Sequence, residues 1–211
     1  MKVYLDMDGL LANLFDTVSM GMIGKHYKAL TEPEKEHTRQ IWTDREGKAK
    51  EFFQKQGGVK KFFADLPTFG PLTDAIINTV VKEVGGYSIC SCPAGIDEQA
   101  SEAGKRIWIH KHLNPLPDEM SFVRDKTINA INKETGKPNV LIDDFPKYIK
   151  EWKAAGGIPI EMRTDSLNSP EEVRAFLTKK LNAAKEQIDG VQPEPKIPTF
   201  EQYVRKVLHS L

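Results

Sequence analysis

Short apolar runs recur along this chain, most of them separated by helix-length stretches, and that alternation limits its fold more than any other feature. The runs cover residues 2–6, 87–91, about 120–123, 139–143 and 158–162. Runs this short and this rich in Val, Ile, Leu, Tyr and Phe read as buried strands rather than helices. Helical stretches are expected at about 10–24, 46–56, 72–84, 97–113 and 146–155, with Gly57-Gly58, Gly85-Gly86 and Gly156-Gly157 closing three of them. Thr31-Glu32-Pro33-Glu34, Ser169-Pro170-Glu171-Glu172 and Thr199-Phe200-Glu201-Gln202 each open a further helix as a capping box, and a proline-rich linker at 192–198 precedes the last. Strands alternating with helices predict an α/β domain with a mainly parallel sheet, because parallel neighbours need a crossover connection.

In such sheets ligands bind off the carboxyl ends of the strands. Three of the runs end in residues capable of chemistry: Asp6, Ser91 and Asp143. Asp6-Met7-Asp8-Gly9 places two carboxylates where the first strand leaves the sheet, with a glycine that permits a sharp turn beside a ligand. A carboxylate can attack phosphorus, but two unscreened anions would repel a phosphate. A hard cation with oxygen ligands, such as Mg²⁺, resolves that conflict, and Asp143-Asp144 supplies further carboxylates for it. The Ser91 hydroxyl and the amides of the turn after it are placed to hold phosphate oxygens near the next helix N-terminus. Lys126, in Arg124-Asp125-Lys126-Thr127, follows the third run and can act there as a point charge. Each signal is weak alone: a DxDG is more often a solvated turn or helix cap, a lone serine a turn residue, and most lysines are solvated. Their coincidence at strand ends is what carries weight.

Taken in order, Asp6-Met7-Asp8-Gly9, Ile89-Cys90-Ser91-Cys92-Pro93, Arg124-Asp125-Lys126-Thr127 and Leu141-Ile142-Asp143-Asp144 resemble the four motifs of the haloacid-dehalogenase-like phosphohydrolase superfamily. More narrowly, Asp8-Gly9-Leu10-Leu11-Ala12, the serine-proline form of the second motif, the RDKT form of the third and Phe62-Phe63-Ala64-Asp65-Leu66-Pro67 are similar to the 5′(3′)-deoxyribonucleotidases. The resemblance implies a Rossmann-like core of residues 1–14 and 67–211, with a small helical cap at 15–66 inserted after the first strand. It implies Asp6 as a nucleophile that forms an aspartyl-phosphate and Asp8 as the acid and base that protonates the leaving oxygen and then activates water. It further implies Mg²⁺ held by Asp6, the backbone carbonyl of Asp8 and Asp143, with Asp144 in support, and Ser91 and Lys126 on the phosphoryl oxygens. Cys92 stands where a serine is common and is expected as a phosphate-binding position. Leu14 stands where an aromatic base-packing residue is typical of some members, and Trp42 where an aromatic wall for a nucleobase is expected; a cap-core role for Trp42 is equally open.

The expected activity is Mg²⁺-dependent hydrolysis of (deoxy)nucleoside monophosphates, a small-molecule nucleotide being the partner. Alternatives on the same motifs are a polynucleotide 3′-phosphatase, a non-catalytic phosphate-binding protein, a phosphomutase and a dehalogenase, since fold does not fix reaction. Thirty basic residues balance thirty acidic ones, so stable nucleic-acid binding is not expected. No apolar run is long enough to span a membrane, and the chain opens directly on a strand, so a cytoplasmic protein is expected; a homodimer is left open. The His110-Lys111-His112 spacing does not suit zinc, and Cys90 and Cys92 read mainly as packing residues. Phe62 and Phe63 read as core rather than as a base platform.

Overall fold

The computed structural model describes residues 1–39 and 47–190. Trp42, the expected helix start at Glu46, the linker at 192–198 and the capping box at Thr199 lie outside the described residues.

Five parallel strands form one sheet: β1 (Val3–Leu5), β2 (Ser88–Ser91), β3 (Met120–Phe122), β4 (Val140–Asp143) and β5 (Ile158–Glu161), in the order β3-β2-β1-β4-β5. Tyr4 aligns with Ser88 on one side and Leu141 on the other, and Asp143 pairs with Glu161 at the outer edge. From β1 the chain winds outward through β2 to β3, then returns across β1 to β4 and winds outward the other way. The reversal opens a crevice at the carboxyl end of β1, with β2 and β4 as its walls. That topology delivers the end of β1 to the middle of the site, with Ser91 on one flank and Asp143 on the other.

The helices are α1 (Leu14–Ile23), α2 (Glu32–Arg39), α3 (Lys48–Lys55), α4 (Val59–Ala64), α5 (Pro71–Val84), α6 (Glu98–His112), α7 (Pro146–Ala154) and α8 (Pro170–Gly190). Their ends follow capping chemistry. Pro71 and Pro146 occupy first turns, the Asp97 carboxylate accepts the Ala100 N–H at 2.9 Å, and Gly85 ends α5 in the left-handed conformation. Thr31 and Glu34 make the expected capping contacts, with the Glu34 carboxylate accepting from the Thr31 N–H at 2.8 Å. At α8 the Ser169 hydroxyl accepts from the Glu172 N–H at 3.2 Å, while the Glu172 carboxylate accepts from Asn168 rather than from Ser169.

Alternation along the strands splits the core in two. Val3, Leu5, Ile89, Val140 and Ile142 pack with Ile76 and Val80 of α5, Trp108 of α6 and Leu177 of α8. Tyr4, Cys90 and Leu141 face the other way, onto Trp152 of α7. Cys90 is therefore a packing residue, as expected. Helices α1–α4 lie between β1 and α5 in sequence. Phe52, Phe53, Phe62 and Phe63 from α3 and α4 join the larger cluster through edge-to-face contacts, with Phe53–Phe62 centroids 5.1 Å apart.

One expectation about elements is corrected. The first helix begins at Leu14, not near Leu10, because the intervening residues form a buried turn in which the Met7 carbonyl accepts N–H groups from both Leu11 and Ala12. The segment around Phe62-Phe63, inside the 15–66 stretch expected to be helical, is the short helix α4. Among the described residues no helix is long and apolar enough to cross a membrane.

Candidate active site

The turn after β1 is held at four points. The Asp6 N–H donates to the Ile142 carbonyl at 2.9 Å, which extends the sheet bonding by one residue. The Thr164 hydroxyl donates to the Leu10 carbonyl at 2.7 Å and the Thr73 hydroxyl to the Leu11 carbonyl at 2.9 Å. Asn13 N–H completes the tie to the Pro67 carbonyl at 2.8 Å. Gly9 has φ +84°, and a Cβ there would lie 2.4 Å from Asp144 Oδ2. Only glycine fits such a backbone this close to a carboxylate.

Lys126 sits at the bottom of the crevice, at the start of a one-turn helix after β3 and almost wholly buried. Its Nζ donates to Asp6 Oδ1 and to Asp143 Oδ2, both at 2.7 Å, and lies 4.4 Å from the centre of the Tyr148 ring. Burial alone would lower the Lys126 pKa, but the Asp6 and Asp143 carboxylates outweigh it and hold the ammonium above its ordinary range. The other Asp143 oxygen accepts the Phe145 N–H at 2.8 Å. Asp6 Oδ2 has no hydrogen-bond partner among the described residues.

A second lysine was not singled out by the sequence. Lys105 of α6 is completely buried, and its Nζ donates to Asp8 Oδ2 at 2.6 Å, Ser91 Oγ at 2.9 Å and the Cys92 carbonyl at 2.6 Å. The signal was present: Ser101, Gly104, Lys105, Trp108 and Ile109 form the buried stripe of α6, so this lysine stands within an apolar face. Burial pushes the Asp8 carboxyl up from its ordinary range, against the pull of Lys105. Asp8 Oδ1 is buried and has no partner in the structure.

Asp6, Asp143 and Asp144 each offer an oxygen, and these lie within 4.8 Å of one another. Burial and then the charges of Asp6 and Asp143 push Asp144 up to about 8. Burial and then Asp6 push Asp143 up to about 6, against the opposing pull of Lys126. With Asp8 counted, four carboxylates face the two ammonium groups of Lys105 and Lys126, an excess of two negative charges when all are ionised. An all-oxygen donor set with that deficit fits one hard divalent cation. The Asp8 carboxylate itself turns toward Lys105; its expected ligand atom was the backbone carbonyl.

Above these groups lies a cavity of about 330 Å³, lined by Asp6, Asp8, Ser91, Cys92, Asp144 and Leu14 among the expected residues. Lys126 and Asp143 lie beneath it, both buried. Phe15, Phe63, Arg124, Phe145 and Tyr148 complete the walls; Phe63 is thus both core and wall. Arg124 is held by the Glu98 carboxylate across the cavity mouth, with Nε–Oε1 at 2.6 Å. Burial raises the Tyr148 hydroxyl pKa, so it stays a neutral donor.

No protein-family model matches the chain, and no curated protein matches it. Among solved structures, it is similar to a hydrolase from Streptococcus pneumoniae TIGR4, at 16% identity and a TM-score of 0.49, over 84% of this chain and 97% of that one. It is also similar to a HAD-superfamily hydrolase from Ehrlichia chaffeensis, at 17% identity and a TM-score of 0.47, over 86% of this chain and 97% of that one.

Proposed function

We propose that this chain is a Mg²⁺-dependent phosphatase that hydrolyses (deoxy)nucleoside monophosphates through an aspartyl-phosphate on Asp6. One observation carries the reading. Asp6 has one oxygen fixed by Lys126 and the other free, directly below a cavity whose remaining polar groups suit a phosphoryl group. Asp6, Asp143 and Asp144, with the Asp8 backbone carbonyl implied by the family resemblance, would hold the cation. When bound, the cation would offset negative charge on the carboxylates and on the phosphoryl oxygens.

Asp6 Oδ2 attacks phosphorus, and the P–O bond to the leaving group breaks as Asp8 gives its proton to the departing oxygen. Asp8, now a carboxylate, takes a proton from the water that attacks the aspartyl-phosphate, which returns Asp6 and releases phosphate. The raised pKa of Asp8 supports its starting as the acid. Ser91 and Lys126 face the phosphoryl oxygens and stabilise charge as it is transferred. The apolar walls from Leu14, Phe15, Phe63 and Tyr148 support a leaving group with a planar ring. A small cavity favours monomers over polymer ends.

The test is Mg²⁺-dependent phosphate release from a panel of 5′- and 3′-deoxy- and ribonucleoside monophosphates, with a 3′-phosphorylated oligonucleotide alongside. Asp6→Asn is expected to fold normally and to lose at least about 10⁴-fold in kcat, since an amide cannot form the acyl-phosphate. Turnover of the oligonucleotide alone would move the protein to nucleic-acid end processing, and near-normal activity in Asp6→Asn would overturn the nucleophile.

A further inference from the structure

A lysine ammonium has three hydrogens. All three of Lys105 are committed, to Asp8 Oδ2, Ser91 Oγ and the Cys92 carbonyl, and the Phe63 ring covers the group at 5.1 Å from its centre. Lys105 therefore has nothing to offer a substrate directly. Lys126 differs: it makes two carboxylate contacts and sits beneath the reacting centre.

We propose that Lys105 is a positioning residue that fixes the orientation of the Asp8 carboxyl and decides which side of the Ser91 hydroxyl meets the substrate. This rests on the phosphatase reading above. Asp8 Oδ2 accepts from Lys105, which holds the carboxyl in one orientation, with Oδ1 buried and without a partner among the described residues. As the ester P–O bond breaks, its electron pair passes to the ester oxygen and the Asp8 proton follows. The Asp8 carboxylate so formed already faces the Lys105 ammonium. Ser91 Oγ likewise accepts from Lys105 through a lone pair, which turns its own hydrogen toward the phosphoryl oxygens. The backbone makes this possible at Gly104, where a Cβ would lie 2.4 Å from the Lys60 carbonyl. The absence of that atom lets α4 close over α6 and bring Phe63 onto Lys105.

The experiment compares Lys105→Met with wild type at saturating Mg²⁺ on two esters. One is p-nitrophenyl phosphate, whose leaving group needs no proton. The other is an alkyl ester, a nucleoside 5′-monophosphate or glycerol phosphate. Lys105→Met is expected to lose about 10-fold on the aryl ester through Ser91 and about 1000-fold on the alkyl ester, chiefly in kcat, through the misdirected acid. Circular dichroism checks the fold. If the methionine variant does not fold, the same ratio is read on Lys105→Gln, which keeps two N–H donors. Equal losses on both esters, or a greater loss on the aryl ester, would overturn the positioning role alone. Wild-type turnover of the aryl ester only would also overturn it, since no proton would be donated. Wild type inactive on both esters would overturn the phosphatase reading and this inference with it.

Discussion

The two ends of the sheet carry clefts of similar size and different electrostatic character. At the carboxyl end, a cavity of about 330 Å³ sits over buried carboxylates that outnumber their lysines. At the amino end, a cavity of about 420 Å³ is bordered by Lys2, Glu83, Lys137, Lys185 and Asp189. There Lys185 reaches Glu83 at 3.1 Å, and Lys2 reaches Glu119 at 2.6 Å. Both clefts are charged, so charge alone does not mark a site. What separates them is burial without compensation. A paired, solvent-facing charge contributes little, whereas a desolvated excess of like charge is costly unless something completes it. The carboxyl end is arranged for an additional cation, and the amino end already balances itself.

Gly9→Ala breaks the comparison from within, because it leaves every charged group in place. The added methyl would occupy the space of Asp144 Oδ2 and force a left-handed backbone onto a residue with a Cβ. A loss of about 1–2 kcal/mol in stability is expected from the backbone alone. Displacing Asp144 is expected to weaken Mg²⁺ affinity and turnover by about 10-fold or more. Chemical denaturation together with a Mg²⁺ titration of activity measures both, and unaltered Mg²⁺ dependence would show that Asp144 takes no part.

Acid should sharpen the contrast. With Asp144 near 8 and Asp143 near 6, both above the ordinary carboxylate range, the folded cation-free protein holds protons that the unfolded chain has lost. That contribution to stability is full below the ordinary carboxylate pKa and disappears as pH rises through the folded values. The melting midpoint in chelator is therefore expected to fall between about pH 6 and about pH 8.5, and added Mg²⁺ to reduce the fall. A midpoint that rises over this interval in chelator would contradict the uncompensated cluster.

The smallest effect belongs at the other end. Glu83→Gln weakens a contact with Lys185 that solvent already screens. Turnover is expected to stay at the wild-type level and the melting midpoint to shift only slightly. A large loss of activity would make the amino-end cleft part of the functional machinery.

The strand ends were readable from the sequence because two independent patterns meet there. Short apolar runs fix where strands stop: Ser91 and Asp143 are the last residues of their strands, and Asp6 directly follows the last residue of the first. Lys105 escaped because a lysine on a helix is ordinarily solvated. Its burial depends on α4 approaching at Gly104, a tertiary contact between segments some forty residues apart. Tyr148 and Phe15 escaped for a similar reason, since their direction into the cavity follows from how α7 and α1 dock. The start of α1 was misread because residues 10–12 are apolar enough to continue a helix. The hydroxyls of Thr73 and Thr164 hold their carbonyls elsewhere.

Calorimetric titration of Mg²⁺ into the metal-free protein tests the uncompensated carboxylate cluster most directly. At about pH 7, in two buffers of different ionisation enthalpy, one ion per chain is expected to bind with release of protons from the Asp143–Asp144 pair, and Asp143→Asn is expected to abolish the binding. Absence of binding to wild type, or equal binding to Asp143→Asn, would contradict the account.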